Sequence, residues 1–308
     1  MTFDTTSIDD KVLQAIEAQR RRTAKQRIVA AQEERIVAHP VFMRARNHVF
    51  WMVKSSQATR APGLIVTGSP GSGKTTLGLS VVKELSVPEE NMSPIVTSPR
   101  ALMITMTGLT TIRAVYGRIL EATNAPVTAA QRVSDREIVV VRTLERMSCG
   151  LLVLDEIQDI TKGRDRERQQ VLDAIKYLMN HLKLPVLALG SPEAAQAFSA
   201  DPHLQARFQH IKFEAWRWGQ GFLSLLAAIE MFLPLREESH LQSEPLARKL
   251  LELSGGSLST LQSIIRNAAI EAIANGSEKI TFDLIRPLYE VPNHTFLEGI
   301  QANGSRGC

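Results

Sequence analysis

The segment GSPGSGKTT at residues 68–76 constrains the fold of this chain more than any other feature. It follows the apolar run LIV (64–66) and precedes LGLSVVKEL (77–85), which is compatible with a helix. The fixed positions of the pattern G-x-x-x-x-G-K-[ST] are occupied by Gly68, Gly73, Lys74 and Thr75. A strand, a glycine-rich turn and a helix in this order predict a strand–loop–helix unit of the kind that builds parallel sheets.

Apolar runs and helix-compatible segments alternate after this loop. Strands are predicted for SPIVTS (93–98), LLVLDE (151–156) and LPVLALGS (184–191), and helices for residues 111–123 and 136–147. Each predicted strand is a near-continuous hydrophobic run, as expected for parallel strands that are covered by helices on both faces. The sequence therefore predicts an α/β fold with a parallel sheet flanked by helices.

The strand-like runs stop at about Gly219. Four helices are predicted beyond it, for GFLSLLAAIEMFL (221–233), EPLARKLLELSGG (244–256), LSTLQSIIRNAAIEAIANG (258–276) and TFDLIRPLYE (281–290). They indicate a small all-helical domain. The predicted organisation is an N-terminal arm at 1–40, a nucleotide-binding α/β domain at 41–218, a helical lid domain at 219–292 and a tail at 293–308.

The N-terminal arm contains no proline or glycine from Ser7 to His39. Ser7 and Asp10 have the spacing of a capping box, and residues 8–38 are predicted to form one or two exposed helices. Within them, RRRTAKQR (20–27) places five basic side chains in eight positions. This run is either a solvated helix face or a contact with nucleic acid or a partner protein.

Composition excludes several classes of protein. No apolar run approaches the roughly 18–20 residues needed to cross a bilayer, so no membrane association is expected. The two cysteines form neither a metal-type cluster nor a disulfide framework, which favours a cytoplasmic location. The net charge of +4 on 308 residues only weakly favours an anionic partner.

The glycine-rich segment has the chemistry of a phosphate-binding loop. Its glycines let successive backbone N–H groups point at phosphate oxygens, in front of the positive N-terminus of the following helix. Lys74 is expected to neutralise the β- and γ-phosphates, and the Thr75 hydroxyl to ligate Mg²⁺. The residues predicted to contact ATP are Gly68, Ser69, Pro70, Gly71, Ser72, Gly73, Lys74, Thr75 and Thr76.

The segment LLVLDEIQDI (151–160) supplies two carboxylates at the end of a buried strand. Asp155 is predicted to hold Mg²⁺, and Glu156 to orient and polarise the attacking water. Ser191, at the tip of the next strand, is either a sensor of the γ-phosphate or part of a simple turn. Arg207 is either a surface arginine or a finger that reaches the γ-phosphate of a neighbouring subunit.

A phosphate loop, an Asp-Glu strand end, a polar strand tip, an arginine before phenylalanine and a helical lid follow the order of AAA+ ATPases. The chain further resembles the TniB/TnsC family over roughly residues 30–290. The segments that carry this resemblance are HPVFMRARNHVFWMVK, LLVLDEIQDI, LPVLALGSPEAAQAFSADPHLQARF, FEAWRWGQ, EMFLPLREES and GGSLSTLQSIIRNAAIEAI.

The resemblance implies a transposition regulator that assembles with ATP into a ring or helical filament on double-stranded DNA. It would link a TniQ-type target-selection protein to a DDE-type transposase, with hydrolysis controlling disassembly. Family members are similar in placing a DNA-facing insertion where this chain has residues 105–118, which makes Thr111, Arg113 and Arg118 candidate DNA contacts. One departure is that Ser259 stands where AAA+ lids often carry an arginine sensor.

Three other functions remain open from the sequence. A helicase loader or replication initiator would use the same nucleotide chemistry, and a nucleotide-gated switch would change shape with little turnover. The carboxylate of Glu156 favours turnover over a pure switch. A solitary metabolic kinase is disfavoured by Arg207 and the lid, because both indicate neighbouring subunits that act together.

Overall fold

The structure, a computed structural model, describes residue 14 and residues 17–33, 36–55, 60–86 and 101–288. The chain divides into two compact units. Residues 40–214 form one of them, which we call the sheet unit. Residues 1–39 and 215–308 form the other, which we call the helical unit.

The sheet unit contains five parallel strands in the order β2-β3-β4-β1-β5. The strands are β1 (Gly63–Gly68), β2 (Ala101–Thr105), β3 (Leu151–Asp155), β4 (Val186–Gly190) and β5 (Phe208–Phe213). β1 is buried along its whole length between β4 and β5. The predicted α/β fold with a parallel sheet is confirmed.

Helices cover both faces of this sheet. Those of the sheet unit are α2 (Pro40–Lys54), α3 (Lys74–Leu85), α4 (Ile112–Ala122), α5 (Val133–Arg146), α6 (Asp165–His181), α7 (Pro192–Ser199) and α8 (Pro202–Gln205). The described helices of the helical unit include α1 (Ala24–Gln32), α9 (Gln220–Met231), α10 (Glu244–Ser254) and α11 (Leu258–Ala274). Short 3₁₀ helices occupy Ile157–Lys162 and Phe282–Leu284.

Two hydrophobic layers follow from the alternation of side chains along the strands. Leu64 and Val66 of β1 share a core with residues of α2 and α3, such as Val49 and Leu77. Ile65, between them, belongs to the other core, with residues of α4 to α7. This double coverage explains why each strand is an almost continuous apolar run.

The second strand lies later in the chain than the sequence predicts. The predicted strand at 93–98 falls outside the described residues. The structure instead forms β2 at Ala101–Thr105, whose sequence ALMIT pairs in parallel with β3. Ala, Leu and Met favour helices, so local propensity conceals this strand, and pairing with β3 overrides it.

The helical unit has its own hydrophobic core, built from α9, α10, α11 and one face of α1. Thr23 begins α1 through a capping box with Gln26, whereas the predicted box at Ser7 and Asp10 lies outside the described residues. α1 contacts α11 and buries Ile28 in the shared core. The prediction of a wholly exposed arm is therefore wrong for α1.

Arg27, the last residue of the basic run, is part of this core. Its side chain is 1% exposed, and its guanidinium makes two hydrogen bonds to the carboxylate of Glu278, at 2.5 and 2.6 Å. It also donates to the carbonyl oxygen of Pro234 at 3.0 Å. Arg27 thus joins α1 to the end of the helical unit and is not available to DNA.

The prediction of a fourth lid helix at TFDLIRPLYE (281–290) is also wrong for the residues that the structure describes there, 281–288. Only Phe282–Leu284 forms a short 3₁₀ helix, and residues 285–288 are not helical. Pro287 explains the difference, because it lacks an N–H donor and disfavours the helical conformation of the residue before it. Among the described helices, none is both long and apolar enough to cross a membrane.

Candidate nucleotide site

The glycine-rich loop connects β1 to α3 at the carboxyl end of the sheet. Gly71 and Gly73 adopt φ angles of 73° and 92°, in the left-handed region that favours glycine. Gly68 is required for a different reason: a Cβ atom there would lie 2.4 Å from the carbonyl oxygen of Phe213. The loop therefore has the backbone geometry that the motif predicts.

Lys74 is the first residue of α3 and lies over the loop. Its Nζ donates to the carbonyl oxygens of Gly68 and Ser69, at 2.8 and 2.9 Å, and to Ser72 Oγ at 3.4 Å. Burial lowers the pKa of Lys74, and the nearby carboxylates of Glu156 and Asp155 partly oppose this effect. The side chain thus places an ammonium group at the N-terminus of a helix, where phosphate groups bind most readily.

Thr75 and Asp155 meet across the carboxyl ends of β1 and β3. Thr75 Oγ1 donates to Asp155 Oδ2 at 2.9 Å, and the N–H of Glu156 donates to Asp155 Oδ1 at 3.0 Å. Burial raises the pKa of Asp155, while these two hydrogen bonds oppose the shift. A hydroxyl and a carboxylate oxygen at this spacing fit Mg²⁺, which takes few protein ligands and completes its shell with phosphate oxygens and water.

Glu156 directly follows β3 and adopts a left-handed conformation, with φ 56° and ψ 38°. Such a backbone is unfavourable for a residue with a side chain, and residues of this kind cluster at functional sites. The turn ends the strand and begins the 3₁₀ helix Ile157–Lys162. It leaves Glu156 beside Asp155, as the sequence predicts.

Gln158 is a site residue that the sequence does not predict. Its Nε2 donates to the carboxylate of Glu156, and its Oε1 accepts from the backbone N–H of Ser191 at 3.0 Å. The segment DEIQ contains a glutamine two residues after the glutamate, but no pattern in the sequence indicates where that amide points.

Ser191 lies at the tip of β4 and begins α7. The structure brings its backbone close to Glu156 through Gln158. The Ser191 hydroxyl donates to the carboxylate of Glu193, which lowers the pKa of that exposed glutamate. The sensor role of Ser191 stays a prediction.

Arg207 lies at the opposite end of the sheet from the phosphate loop. It directly precedes β5, where Phe208 is paired with Gly63 at the start of β1. Five residues of strand, about 17 Å at about 3.3 Å per residue, separate that point from Gly68. Arg207 Nη1 donates to Asn180 Oδ1 at 2.6 Å. Arg207 is therefore not part of the nucleotide site of its own chain.

The three candidate DNA contacts each make a local contact in the structure. Thr111 caps α4 by accepting from the N–H of Ala114 at 3.3 Å. Arg113 donates to the carbonyl oxygen of Ala129, and Arg118 forms an ion pair with Glu121 at 3.4 Å. The DNA role of all three stays a prediction.

The loop between β2 and α4 is hydrogen-bonded to the end of β3 and to the 3₁₀ helix that follows it. The N–H of Met106 donates to the carbonyl oxygen of Asp155 at 2.7 Å, and that of Gly108 donates to Asp159 Oδ2 at 2.8 Å. Gly163 packs closely on Thr110, since a Cβ at Gly163 would lie 3.0 Å from Thr110 Cβ. Exposed basic residues that no sequence pattern singles out follow beside this loop, namely Lys162, Arg164 and Arg166.

The comparison with protein families identifies the chain. A model described as "Bacterial TniB protein" matches residues 27–218, which include the whole candidate nucleotide site. The chain belongs to the TniB family. This confirms the resemblance drawn from the sequence, and no curated protein matches the chain closely enough to add to it.

Solved structures similar to this TniB family member include several ORC proteins. The Aeropyrum pernix ORC2 protein, solved as ADPNP–ADP complexes, aligns with 91% of this chain and 72% of its own length, at 15% identity and a TM-score of 0.58. The A. pernix ORC1 protein in complex with DNA aligns with 90% of this chain and 70% of its own length, at 14% identity and a TM-score of 0.58.

Drosophila ORC bound to DNA aligns with 100% of this chain and 72% of its own length, at 17% identity and a TM-score of 0.54. At these identities the likeness concerns the fold alone. The chain has the AAA+ fold, a parallel five-stranded sheet flanked by helices, and it carries helices C-terminal to that sheet.

Proposed function

We propose that this chain is an ATPase that assembles with ATP on double-stranded DNA and regulates DNA transposition. It acts in the cytoplasm, as a ring or helical filament, between a TniQ-type target-selection protein and a DDE-type transposase. Hydrolysis of ATP releases the assembly from DNA. The observation that carries the proposal is the convergence of Lys74, Thr75, Asp155 and Glu156 at one end of the sheet.

Each of these residues has a separate task in ATP hydrolysis. Lys74 binds the β- and γ-phosphates, while Thr75 and Asp155 hold Mg²⁺, which neutralises developing charge on the phosphate oxygens. Glu156 orients the attacking water through its carboxylate. The fixed loop backbone orients the triphosphate before any bond changes, so that positioning supplies much of the catalysis.

The location of Arg207 supports assembly of several copies. An arginine about 17 Å along the strand from the phosphate loop cannot stabilise the γ-phosphate bound by its own chain. In an oligomer it acts on the ATP of the neighbouring copy, so that the bound nucleotide joins two subunits. ADP lacks the γ-phosphate and cannot join the subunits in this way, which explains how hydrolysis weakens the assembly.

The DNA-facing surface consists of the loop after β2 and the basic residues beside it. Thr111, Arg113 and Arg118 contact DNA from the loop and α4, and Arg164 and Arg166 add positive charge next to the loop. Contacts of this kind neutralise phosphates without reading bases. Two of the structures with a similar fold were solved with DNA, which supports DNA binding as a proposal for the present chain.

The role in transposition rests on the family, and the fold favours one alternative. Several solved structures with a similar fold are ORC proteins, so a replication initiator or helicase loader is the second candidate function. The two functions share ATP-dependent binding to DNA and differ in the partner. Recruitment of a TniQ-type protein and a transposase to the DNA-bound form distinguishes them.

The test of the enzymatic proposal is ATP hydrolysis by the purified chain with and without double-stranded DNA. Glu156→Gln is expected to retain ATP and DNA binding while its turnover falls by roughly 100-fold or more, because the water-orienting carboxylate is lost. The matched control is Glu145→Gln, an exposed position on α5 away from the site. Hydrolysis by Glu156→Gln at the wild-type rate would reject this role.

A further inference from the structure

Gln158 connects two parts of the nucleotide site that come from adjacent strands. Its amide nitrogen donates to the Glu156 carboxylate at the end of β3, and its amide oxygen accepts from the Ser191 N–H at the end of β4. We propose that Gln158 is a positioning residue for ATP hydrolysis. It orients the carboxylate of Glu156 and couples that carboxylate to the tip of β4. This inference rests on the proposed function, because Glu156 acts on water only if the chain hydrolyses ATP.

The orientation of the amide follows from its two partners. A backbone N–H only donates, so the group facing Ser191 must be the amide oxygen. The amide nitrogen then points towards Glu156, where a carboxylate accepts its hydrogen bond. A side chain with a donor at one end and an acceptor at the other is required, and alanine or leucine offers neither.

The surroundings hold Gln158 in this position. Ile157 and Ile160 of the same 3₁₀ helix are fully buried, and Asp159 accepts from the N–H of Gly108 at 2.8 Å. Gly190, at the end of β4, leaves the space that the amide occupies, since a Cβ there would lie 2.6 Å from Gln158 Oε1. The link between β3 and β4 therefore depends on Gly190, although Gly190 has no side chain to contact Gln158.

Neither contact of Gln158 reaches the phosphate loop. Lys74 is hydrogen-bonded to the loop itself, and Thr75 to Asp155, without the help of the amide. Loss of Gln158 should therefore affect turnover and leave ATP binding intact. Misplacement of a catalytic group by about 1 Å costs up to roughly 100-fold in rate, and we expect a fall of about tenfold in kcat.

The experiment measures kcat and KM for ATP, together with the Kd of a fluorescent, non-hydrolysable ATP analogue, in wild type and Gln158→Ala. The expected result is a fall of about tenfold in kcat, with KM and Kd within about twofold of wild type. Gln196→Ala, at an exposed position on the neighbouring helix α7, is the matched control. Thermal melts of each variant verify that it folds.

Gly190→Ala provides a second, independent perturbation. It retains every polar group, and its Cβ would lie 2.6 Å from Gln158 Oε1 and 2.9 Å from Ile157 Cγ2. Because it displaces the amide, it should reproduce the loss of kcat. In the Gln158→Ala background its further effect on kcat should be smaller than in wild type, because the close contact with Oε1 is gone and only those with Ile157 and Ala194 remain. Additive effects of the two substitutions would contradict the proposed link.

Glu156→Gln, assayed in parallel, separates the inference from the proposed function. If Glu156→Gln is inactive while Gln158→Ala turns over at the wild-type rate, the inference on Gln158 is rejected and the proposed function stands. A joint loss of kcat and analogue affinity in Gln158→Ala would also reject it. If the wild type itself fails to hydrolyse ATP, the proposed function and the inference both fall.

Discussion

The buried ion pair between Arg27 and Glu278 should determine whether the helical unit keeps α1 in place. Arg27 is 1% exposed and Glu278 is 15% exposed, so neither charge is well solvated. Removing one partner of such a pair typically costs about 3–5 kcal/mol, because the other charge stays buried and unpaired. For Glu278→Gln we expect about 3 kcal/mol, the lower end, since Glu278 retains some contact with water.

This loss corresponds to a fall of about 6–12 °C in the melting temperature of the helical unit, at about 2–4 °C per kcal/mol. Tryptophan fluorescence offers a selective assay. Two of the three tryptophans, Trp216 and Trp218, lie in the helical unit, and the exposed Trp51 can be replaced by phenylalanine. The matched control is Glu244→Gln, which breaks the exposed pair with Arg248 in the same unit and should cost under about 1 kcal/mol.

The same pair predicts a dependence on pH. Hydrogen bonding from Arg27 lowers the pKa of Glu278 below its ordinary value of 4.5. Because the folded-state pKa is depressed, the stabilisation is complete above the unfolded-state value and is lost as the pH falls through the folded-state value. The difference in melting temperature between wild type and Glu278→Gln should therefore be constant from about pH 6 to 8 and shrink below about pH 4.5.

A double substitution tests whether the charges or only the packing matter. Arg27 Nε has no hydrogen-bond partner among the described residues, so the pair is not fully satisfied. Arg27→Met with Glu278→Leu should therefore recover to within about 1 kcal/mol of wild type. A melting temperature of Glu278→Gln within about 1 °C of wild type would show that the ion pair does not hold the helical unit together.

Further predictions concern the nucleotide and DNA sites. Lys74→Ala should weaken binding of a fluorescent ATP analogue by at least about tenfold, because its charge-assisted hydrogen bonds to phosphate are removed; unchanged affinity would remove Lys74 from the site. Arg207→Ala should bind the analogue within about twofold of wild type yet lose roughly 10³-fold in turnover, whereas Asn180→Ala, which removes only its partner within the chain, should retain turnover; equal rates for wild type and Arg207→Ala would exclude the finger role. Arg164→Ala with Arg166→Ala should reduce the slope of log affinity for DNA against log salt by about 0.9 for each phosphate that is no longer neutralised, measured by fluorescence anisotropy, and an unchanged slope would exclude these residues from the interface.

Local patterns predicted the backbone turn of the glycine-rich loop and the position of the carboxylates after β3. The loop before Lys74 and the carboxylates after β3 are specified by adjacent residues, because a strand end, a turn and a helix start are all short-range features. The parallel sheet was predictable for a similar reason, since strands buried on both faces appear as continuous apolar runs.

Features that depend on distant partners were not predictable. Arg27 and Glu278 are 251 residues apart, and the sequence around Arg27 suggests only a basic helix face. Strand β2 contains residues that favour helices, and only its pairing with β3 makes it a strand. The proposed role of Gln158 depends on a hydrogen bond from the backbone N–H of Ser191, and a pattern of side chains in the sequence cannot predict such a contact.

Negative-stain electron microscopy of Glu156→Gln with double-stranded DNA tests most directly whether ATP assembles this chain on DNA. The variant should bind ATP without consuming it, so that the assembled state accumulates. Rings or filaments along the duplex are expected with ATP, and dispersed particles with ADP. Dispersed particles under both conditions, from a variant that still binds ATP, would show that ATP does not assemble the chain on DNA.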